Sequence, residues 1–323
     1  MYKVLVVGRI HPSGRAVLDA REDLQIESIE DPAVVLPDQA LRGVDAVLIR
    51  YGVLTAAHLE QANRLRIVSR HGVGVDNLPL DLLGQRGIPV TVVGPVNSVS
   101  VAEQAFAMLL ALAKQIRPYD LAVREGRWGA RESLAVRELA GMTLLLLGFG
   151  RIGRAFARRA AAFDMQIWVH DPALSAAAAA AAGVRQVEDW RACLGEVDAL
   201  SLHVPLTPAT RGLIDHAVLS AIKPTALIVN TARGGLIDEA ALRQALGGRM
   251  AKGGAGIDTF DQEPLPADHP LLALPNVVVS PHSAALSAEA AERMGVVAAR
   301  NVLAGLDNDI DPALLFNRAA LGR

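Results

Sequence analysis

The segment Gly148-Phe149-Gly150-Arg151-Ile152-Gly153 constrains the fold of this chain more than any other stretch. It follows an unbroken apolar run, Leu144 to Leu147, and precedes an alanine- and arginine-rich pattern from Arg154 to Ala162. Glycines at this spacing between a strand and a helix permit a tight turn, close approach of backbone to a pyrophosphate, and close packing of helix on strand. The helix N-terminus then offers its N–H groups and positive dipole end to the phosphates. A second strand pattern, Met165 to Val169, leads to His170-Asp171, 18 residues past Gly153. A carboxylate at that place accepts both adenosine ribose hydroxyls and repels a 2′-phosphate, so the pattern predicts NAD in preference to NADP. Arg151, in the first helical turn, reaches the pyrophosphate without selecting the 2′ position.

A dinucleotide-binding unit needs further parallel strands, and the chain supplies them. Thr143 to Leu147, Met165 to Val169, Ala199 to Leu202, Ala226 to Val229, Gly254 to Ile257 and Val277 to Val279 give the six expected of such a sheet. The first 97 residues alternate short aliphatic runs (Val4 to Val7, Ala46 to Ile49, Ile67 to Ser69, Val90 to Val93) with helical patterns, the mark of a second parallel sheet covered on both faces. Between them an apolar helical pattern runs from Ser98 to about Gln115, and Arg117-Pro118 is expected to end or kink it. The mixed-charge segment from Glu125 to Glu138 reads as a loop. A last helix is expected from about Ser287 to Leu303, with the tail returning to the first domain. The expected architecture is α/β in two domains. A flavodoxin-like substrate-binding domain comprises 1–98 and 288–323, and a Rossmann-type, doubly wound NAD-binding domain comprises 99–287.

Composition narrows the function. The chain has 323 residues, 51% hydrophobic and 20% charged, which supports two packed cores. Its 32 Lys and Arg against 34 Asp and Glu lack the positive excess that nucleic-acid binders use, so no nucleic-acid partner is expected. No apolar run approaches the ~18 residues of a membrane span, and the alanine tract Ala176 to Ala182 opens after Ser175, a suitable N-cap. The N-terminus reads as a strand rather than a secretion signal. Cys193 stands alone, which excludes a disulfide framework or a cysteine metal site and fits a reducing, cytoplasmic setting.

Arg233, Glu263 and His282 each lie just past a strand pattern, where open α/β sheets bind ligands. Reduction of a 2-oxo acid needs a cation for the carboxylate and an acid for the developing alkoxide. Arg233 offers a planar fork matched to a carboxylate. His282 can donate a proton near neutral pH, and Glu263 on its other ring nitrogen would fix the tautomer and favour the protonated ring.

With these residues the sequence resembles the D-isomer-specific 2-hydroxyacid dehydrogenases, the family of phosphoglycerate, glyoxylate/hydroxypyruvate and D-lactate dehydrogenases. The resemblance spans nearly the whole chain through Gly72-Val73-Gly74-Val75-Asp76-Asn77, Asn97-Ser98-Val99-Ser100-Val101-Ala102-Glu103, the glycine segment, Leu202-His203-Val204-Pro205-Leu206-Thr207 and the three catalytic segments. It implies an NAD-dependent oxidoreductase that interconverts a small 2-oxo acid and the D-2-hydroxy acid, with Arg233, Glu263 and His282 catalytic. It also implies that backbone around Val73 and Gly74 holds the substrate carboxylate and that Asp258 holds the nicotinamide carboxamide. Candidate cofactor contacts are Gly148, Gly150, Arg151, Ile152, Gly153, Asp171, His203, Val204, Pro205, Thr210, Thr231, Ala232, Asp258 and Ala284. His203 is expected to border the cofactor through its backbone. Ser283-Ala284-Ala285-Leu286-Ser287 departs from the Ile-Gly-Gly and Thr of many members, a change that bears on packing at the nicotinamide more than on the acid. The alternative function is a non-enzymatic, NAD-sensing, corepressor-like interaction protein on the same fold. Oxidation of formate or phosphite is a third, less favoured reading.

Arg9, Arg50 and His71 lie at or just past first-domain strand ends and could form a positive lip for a second anionic group on the substrate; for His71 the competing reading is plain surface placement. The substrate-binding candidates are thus Arg50, His71, Val73, Gly74, Arg233 and His282. The other histidines (His11, His58, His170, His216, His269) read as surface or capping residues, and no metal site is expected. The family forms homodimers through the cofactor domain, which makes the apolar helix from Val101 to Leu112 the candidate contact.

Overall fold

The computed structural model describes residues 1–31 and 35–322. These fall into two compact units, Met1–Asn97 with Leu286–Arg323 and Ser98–Ala285, the last residue Arg323 lying outside the described set.

The first unit opens with β1 (Tyr2–Val7), α1 (Pro12–Asp19), β2 (Leu24–Ile29), β3 (Ala46–Ile49), α2 (Ala56–Gln61), β4 (Ile67–Arg70), α3 (Leu80–Gln85) and β5 (Val90–Thr91). The strands form one parallel sheet in the order β2-β1-β3-β4-β5, the flavodoxin-like order. β2 is an addition to the strands read from the sequence. Its residues are half-buried or exposed, as befits an edge strand, so no buried apolar run marks it.

The second unit continues with α4 (Ser98–Ala113), α5 (Ile116–Arg124), β6 (Thr143–Leu147), α6 (Arg151–Ala161), β7 (Gln166–His170), α7 (Ala176–Ala181), β8 (Arg185–Gln186), β9 (Ala199–Leu202), α8 (His216–Ala221), β10 (Leu227–Asn230), α9 (Glu239–Gly247), β11 (Gly254–Ile257) and β12 (Val277–Val279). Its sheet has seven strands, order β12-β11-β10-β9-β6-β7-β8, all parallel. The expected six are present and β8 is the seventh, a two-residue edge strand too short to leave a pattern. Because side chains alternate across a strand, Leu145 and Leu147 enter one core with α8 and α9, while Leu144 and Leu146 enter the opposite core with α4 and α6. This is the doubly wound, Rossmann-type arrangement.

α4 ends earlier than its pattern predicts. Gln115 takes a left-handed conformation, and α5 starts one residue later, bent 58° from α4, with Pro118 in its first turn where a missing N–H costs nothing. No single helix among the described residues is long and apolar enough to cross a membrane. The apolar face of α4 is covered within its own unit, since β carbons on Gly254 and Gly256 of β11 would lie 2.9 and 2.8 Å from Leu112 and Met108. That burial corrects the choice of α4 as an intermolecular contact. Exposed apolar side chains gather instead on α5 and the turn after it, at Ile116, Leu121, Val123, Trp128, Leu134 and Val136.

The chain then returns to the first unit through α10 (Ala288–Asp307), whose N-cap Ser287 accepts from Ala290 N–H and which runs four residues beyond the expected Leu303. α10 lies on β3 and β4, and a β carbon on its Gly305 would overlap Ile67. The tail does return to this unit: Leu315 bridges Thr91 antiparallel, and Asn317 Oδ1 accepts from Val90 N–H.

Candidate active site

The glycine turn of the second unit has three distinct jobs for its glycines. Gly148 has φ +96°, a conformation that L side chains rarely adopt, and a β carbon there would sit 2.6 Å from the His203 carbonyl oxygen. One on Gly153 would sit 2.4 Å from the Gly148 carbonyl oxygen, so this glycine sets the distance between α6 and β6. Gly150 faces open space. It also caps α6 without a side-chain acceptor, whereas α7, α8 and α9 are capped by Ser175, Asp215 and Asp238. The first-turn N–H groups at Arg151, Ile152 and Gly153 therefore face outward for an external anion.

Asp171, at the end of β7, accepts from Phe149 N–H at 2.7 Å and Ala173 N–H at 2.9 Å, tying the second strand to the glycine turn. His203 lies against Phe156 and meets Ser201 Oγ at 3.0 Å; desolvation lowers its pKa to about 4, so the half-buried ring is neutral. The hydroxyl of Thr210 accepts from Thr207 N–H and donates to the Pro205 carbonyl, shaping the loop that follows Val204. The Thr231 hydroxyl, beside Ala232, is buried with no partner. An orphaned buried hydroxyl and an uncapped helix at the carboxyl ends of the strands are what a bound dinucleotide would satisfy, so these residues fit NAD.

The three catalytic candidates come from the loops after β10, β11 and β12. Asn230 shapes the first: its Nδ2 donates to the Arg233 carbonyl at 2.7 Å and its Oδ1 accepts from Ala232 N–H at 3.0 Å. At Gly234 a β carbon would overlap the Phe260 carbonyl, so only glycine lets the β10 loop press against the β11 loop. Glu263, preceding a cis proline, accepts from Phe260 N–H with Oε1 at 2.9 Å, which leaves Oε2 2.7 Å from His282 Nδ1. An ionised carboxylate only accepts, so Nδ1 carries the proton and Nε2 is the outward nitrogen. Burial raises the Glu263 pKa. Hydrogen bonds from His282 and Phe260, with the charges of His282 and Arg233, outweigh it and hold the carboxyl below its ordinary range. Arg233, Glu263 and His282 thus share one electrostatic site.

Asp258 is fully buried and serves the β12 loop. Its carboxylate accepts from Ser280 Oγ, from Ser283 N–H at 2.9 Å and from Ala284 N–H at 3.0 Å. The role at the carboxamide that the resemblance implies for it competes with these three donors.

In the first unit, Arg70 was not among the residues singled out, yet it organises the loop that was. Its Nε donates to the Gly74 carbonyl at 2.8 Å, and its Nη1 to the carbonyls of Arg50 at 2.7 Å and His71 at 2.9 Å. The signal available in the sequence was a strand-terminal arginine four residues before Gly74. Val73 is exposed beside it. Arg50 donates to the Arg9 carbonyl at 2.6 Å and lies over the Tyr51 ring. His71 is 4% exposed, which corrects the surface reading, and both of its ring nitrogens lack partners. Burial and then the charge of Arg50 lower its pKa to about 4, so it is neutral and adds no charge to a positive lip.

The remaining histidines have structural partners. His11 caps α1, and His58 caps α2 from a buried position. His170 meets the Val187 carbonyl, and His269 pairs with Glu239. His216, the first residue of α8, is exposed, with Nδ1 3.5 Å from Ser220 Oγ. No group of His, Cys, Asp and Glu among the described residues could hold a metal.

Residues 106–284 match the family described as D-isomer specific 2-hydroxyacid dehydrogenase, NAD binding domain. The chain is 39% identical over 312 residues to the D-3-phosphoglycerate dehydrogenase of Mycobacterium tuberculosis, covering 96% of this chain and 58% of that protein. It is 37% identical over 321 residues to the glyoxylate reductase of Korarchaeum cryptofilum, covering 97% and 95%. Among solved structures, an NADPH-dependent glyoxylate/hydroxypyruvate reductase from Sinorhizobium meliloti superposes with a TM-score of 0.79 at 31% identity, over 94% of each chain. The chain thus spans little more than half the length of the phosphoglycerate dehydrogenases it matches and nearly the full length of the glyoxylate reductase. Its fold, its glycine turn and these matches together establish that the chain belongs to the D-isomer-specific 2-hydroxyacid dehydrogenase family and carries that family's NAD-binding domain.

Proposed function

We propose that this protein interconverts a small 2-oxo acid and the corresponding D-2-hydroxy acid, with His282 as acid and base. The observation that carries the reading is the 2.7 Å contact between His282 Nδ1 and Glu263 Oε2, in a site where the Arg233 charge is also felt. Bound NADH supplies a hydride to the carbonyl carbon. Arg233 binds the substrate carboxylate through its fork and favours negative charge on the neighbouring oxygen. His282 donates its Nε2 proton to that oxygen as charge develops, and Glu263 stabilises the imidazolium that precedes the transfer. In the oxidative direction the neutral ring takes the hydroxyl proton.

Asp171 would favour NAD over NADP, because a carboxylate at the end of the second strand of such a sheet repels a 2′-phosphate. In the second unit the substrate-binding residues are Arg233 and His282; in the first they are Arg50, His71 and the Val73-Gly74 backbone that Arg70 braces. The buried imidazole of His71, with both nitrogens unpartnered, supports its place among them. Arg50 is the charged first-unit member of this group. A 2-oxo acid bearing a second anionic group gains about 1.5 to 3 kcal/mol from it, or roughly ten- to a hundredfold over glyoxylate. The active species is a homodimer paired through the exposed apolar residues of α5 and the turn after it, at twice the 34.1 kDa of one chain.

The decisive experiment compares wild type with His282→Ala using NADH and a panel of 2-oxo acids. Turnover should fall by roughly 10²- to 10⁴-fold while NADH affinity stays within a factor of about two. Equal loss of both would remove His282 from the acid–base role.

A further inference from the structure

His282 is held in an unusual way. Its φ is +49°, in the left-handed region that only a few per cent of residues other than glycine occupy, histidine being among the types found there more often. Such a conformation persists only where the surroundings over-determine it. Its N–H donates to the Asp258 carbonyl at 2.8 Å, and the Asp258 carboxylate accepts from Ser280 Oγ and from the N–H groups of Ser283 and Ala284. One buried aspartate therefore holds both flanks of the histidine.

The second half of the arrangement comes from α4. Ser100 and Gln104 are one helical turn apart and project from the same face. Ser100 Oγ donates to the Ala284 carbonyl at 2.6 Å, and Gln104 Nε2 donates to Ser280 Oγ at 3.2 Å. Their targets, residues 280 and 284, are the two ends of the loop that carries His282. Ser280 thereby accepts from Gln104 and donates to Asp258, forming a continuous chain from the helix to the buried carboxylate.

We propose that Gln104 of α4, through Ser280 and Asp258, and Ser100, through the Ala284 backbone, are positioning residues that fix His282 in its left-handed conformation and so aim its Nε2. The consequence for turnover rests on the acid–base role given to His282 above. None of the four touches the reacting atoms. A ring rotated by relaxation of this loop would still pair with Glu263, but its Nε2 would meet the substrate oxygen less often, and misplacements of about 1 Å cost on the order of a hundredfold in rate.

The test uses Gln104→Met, which keeps length and removes the donor, together with Ser280→Ala and the conservative Ser280→Thr, in the full chain. With NADH and hydroxypyruvate, Ser280→Ala and Gln104→Met should lower kcat by roughly ten- to a hundredfold and leave NADH affinity within about twofold, whereas Ser280→Thr, which keeps the hydroxyl, should retain most of the turnover. Introduced into His282→Ala, the same substitutions should produce no further loss, because their effect passes through the histidine. Amide exchange at His282 in the cofactor-free protein should quicken by about tenfold or more as its bond to Asp258 weakens. Turnover within twofold of wild type in both variants, equal fractional losses with and without His282, or unchanged exchange at its amide would each overturn the proposal. Full activity in His282→Ala itself would instead defeat the acid–base reading, and the exchange measurement would still judge the clamp. Should Ser280→Ala fail to fold, Gln104→Met carries the test alone.

Discussion

The two sheets begin alike and diverge within a few residues. Each first strand ends on a glycine with positive φ, Gly8 at +106° and Gly148 at +96°. Each sheet is closed at its other end by an aspartate before the neighbouring strand: Asp45 accepts from Lys3 N–H at 2.8 Å, and Asp198 from Thr143 N–H at 3.0 Å. The helices that follow differ. At α1, His11 Nδ1 accepts from Ser13 N–H and Pro12 occupies the first helical turn, so the helix start is satisfied from within. Gly14 then serves packing, for a β carbon there would lie 2.5 Å from the Gly295 carbonyl carbon of α10. At α6 the corresponding start is left open and Gly150 faces space. The same strand–turn–helix unit is thus a closed structural joint in one sheet and an open helix start in the other, and the residues at the helix start set the difference.

The strongest way to break this comparison is Gly14→Ala. If Gly14 is a packing glycine, the added methyl should force α1 away from α10 and lower stability by about 3 kcal/mol, read from the urea midpoint, with NADH affinity of the folded protein unchanged. Wild-type stability would show that the helices have room to spare. Next in size is Gly150→Asp, which gives α6 the cap that α1 already has. NADH should bind roughly thirtyfold more weakly, about 2 kcal/mol, while the thermal midpoint holds or rises. Undiminished NADH binding would mean that the open helix start is not the phosphate site. The smallest effect belongs to His11→Ala, which should cost about 1 kcal/mol of stability through loss of the α1 cap. A shift in NADH affinity beyond threefold in that variant would blur the division of labour between the two turns.

Much of this was legible before any coordinates. Buried parallel strands are continuous aliphatic runs, so β6, β9, β11 and β12 carry the same bounds in sequence and structure. β2 and β8 were not legible, because β2 mixes Leu24, Ile26 and Ile29 with polar residues and buries none of them fully, and a two-residue strand has no period. The break between α4 and α5 was assigned to Pro118, the obvious disruptor, whereas the chain turns at Gln115 through a conformation that composition does not announce. At the candidate site, the placement of Arg233, Glu263 and His282 past strand ends was readable, and so was the pairing of Glu263 with His282. The environment of His71 was not, since its burial depends on elements distant in sequence. Asn230 ties its own loop through Ala232 and Arg233, whereas Arg70 and Asp258 also reach atoms of other loops, at Arg50 and at residues 280–284, and a residue's identity does not report such distant partners.

The first unit is assembled from both ends of the chain, and this has a consequence for synthesis. Its strands are complete once residue 91 has been made, but the face that receives α10 lacks its cover until residue 307. The intervening second unit is continuous and can close its own core as it emerges. At about 5 to 20 residues per second, the ribosome needs roughly 10 to 40 s to add that intervening stretch. For that interval Ile67 and its neighbours on the uncovered face are available to chaperones and to other nascent chains. The order of maturation is thus the reverse of the order of translation.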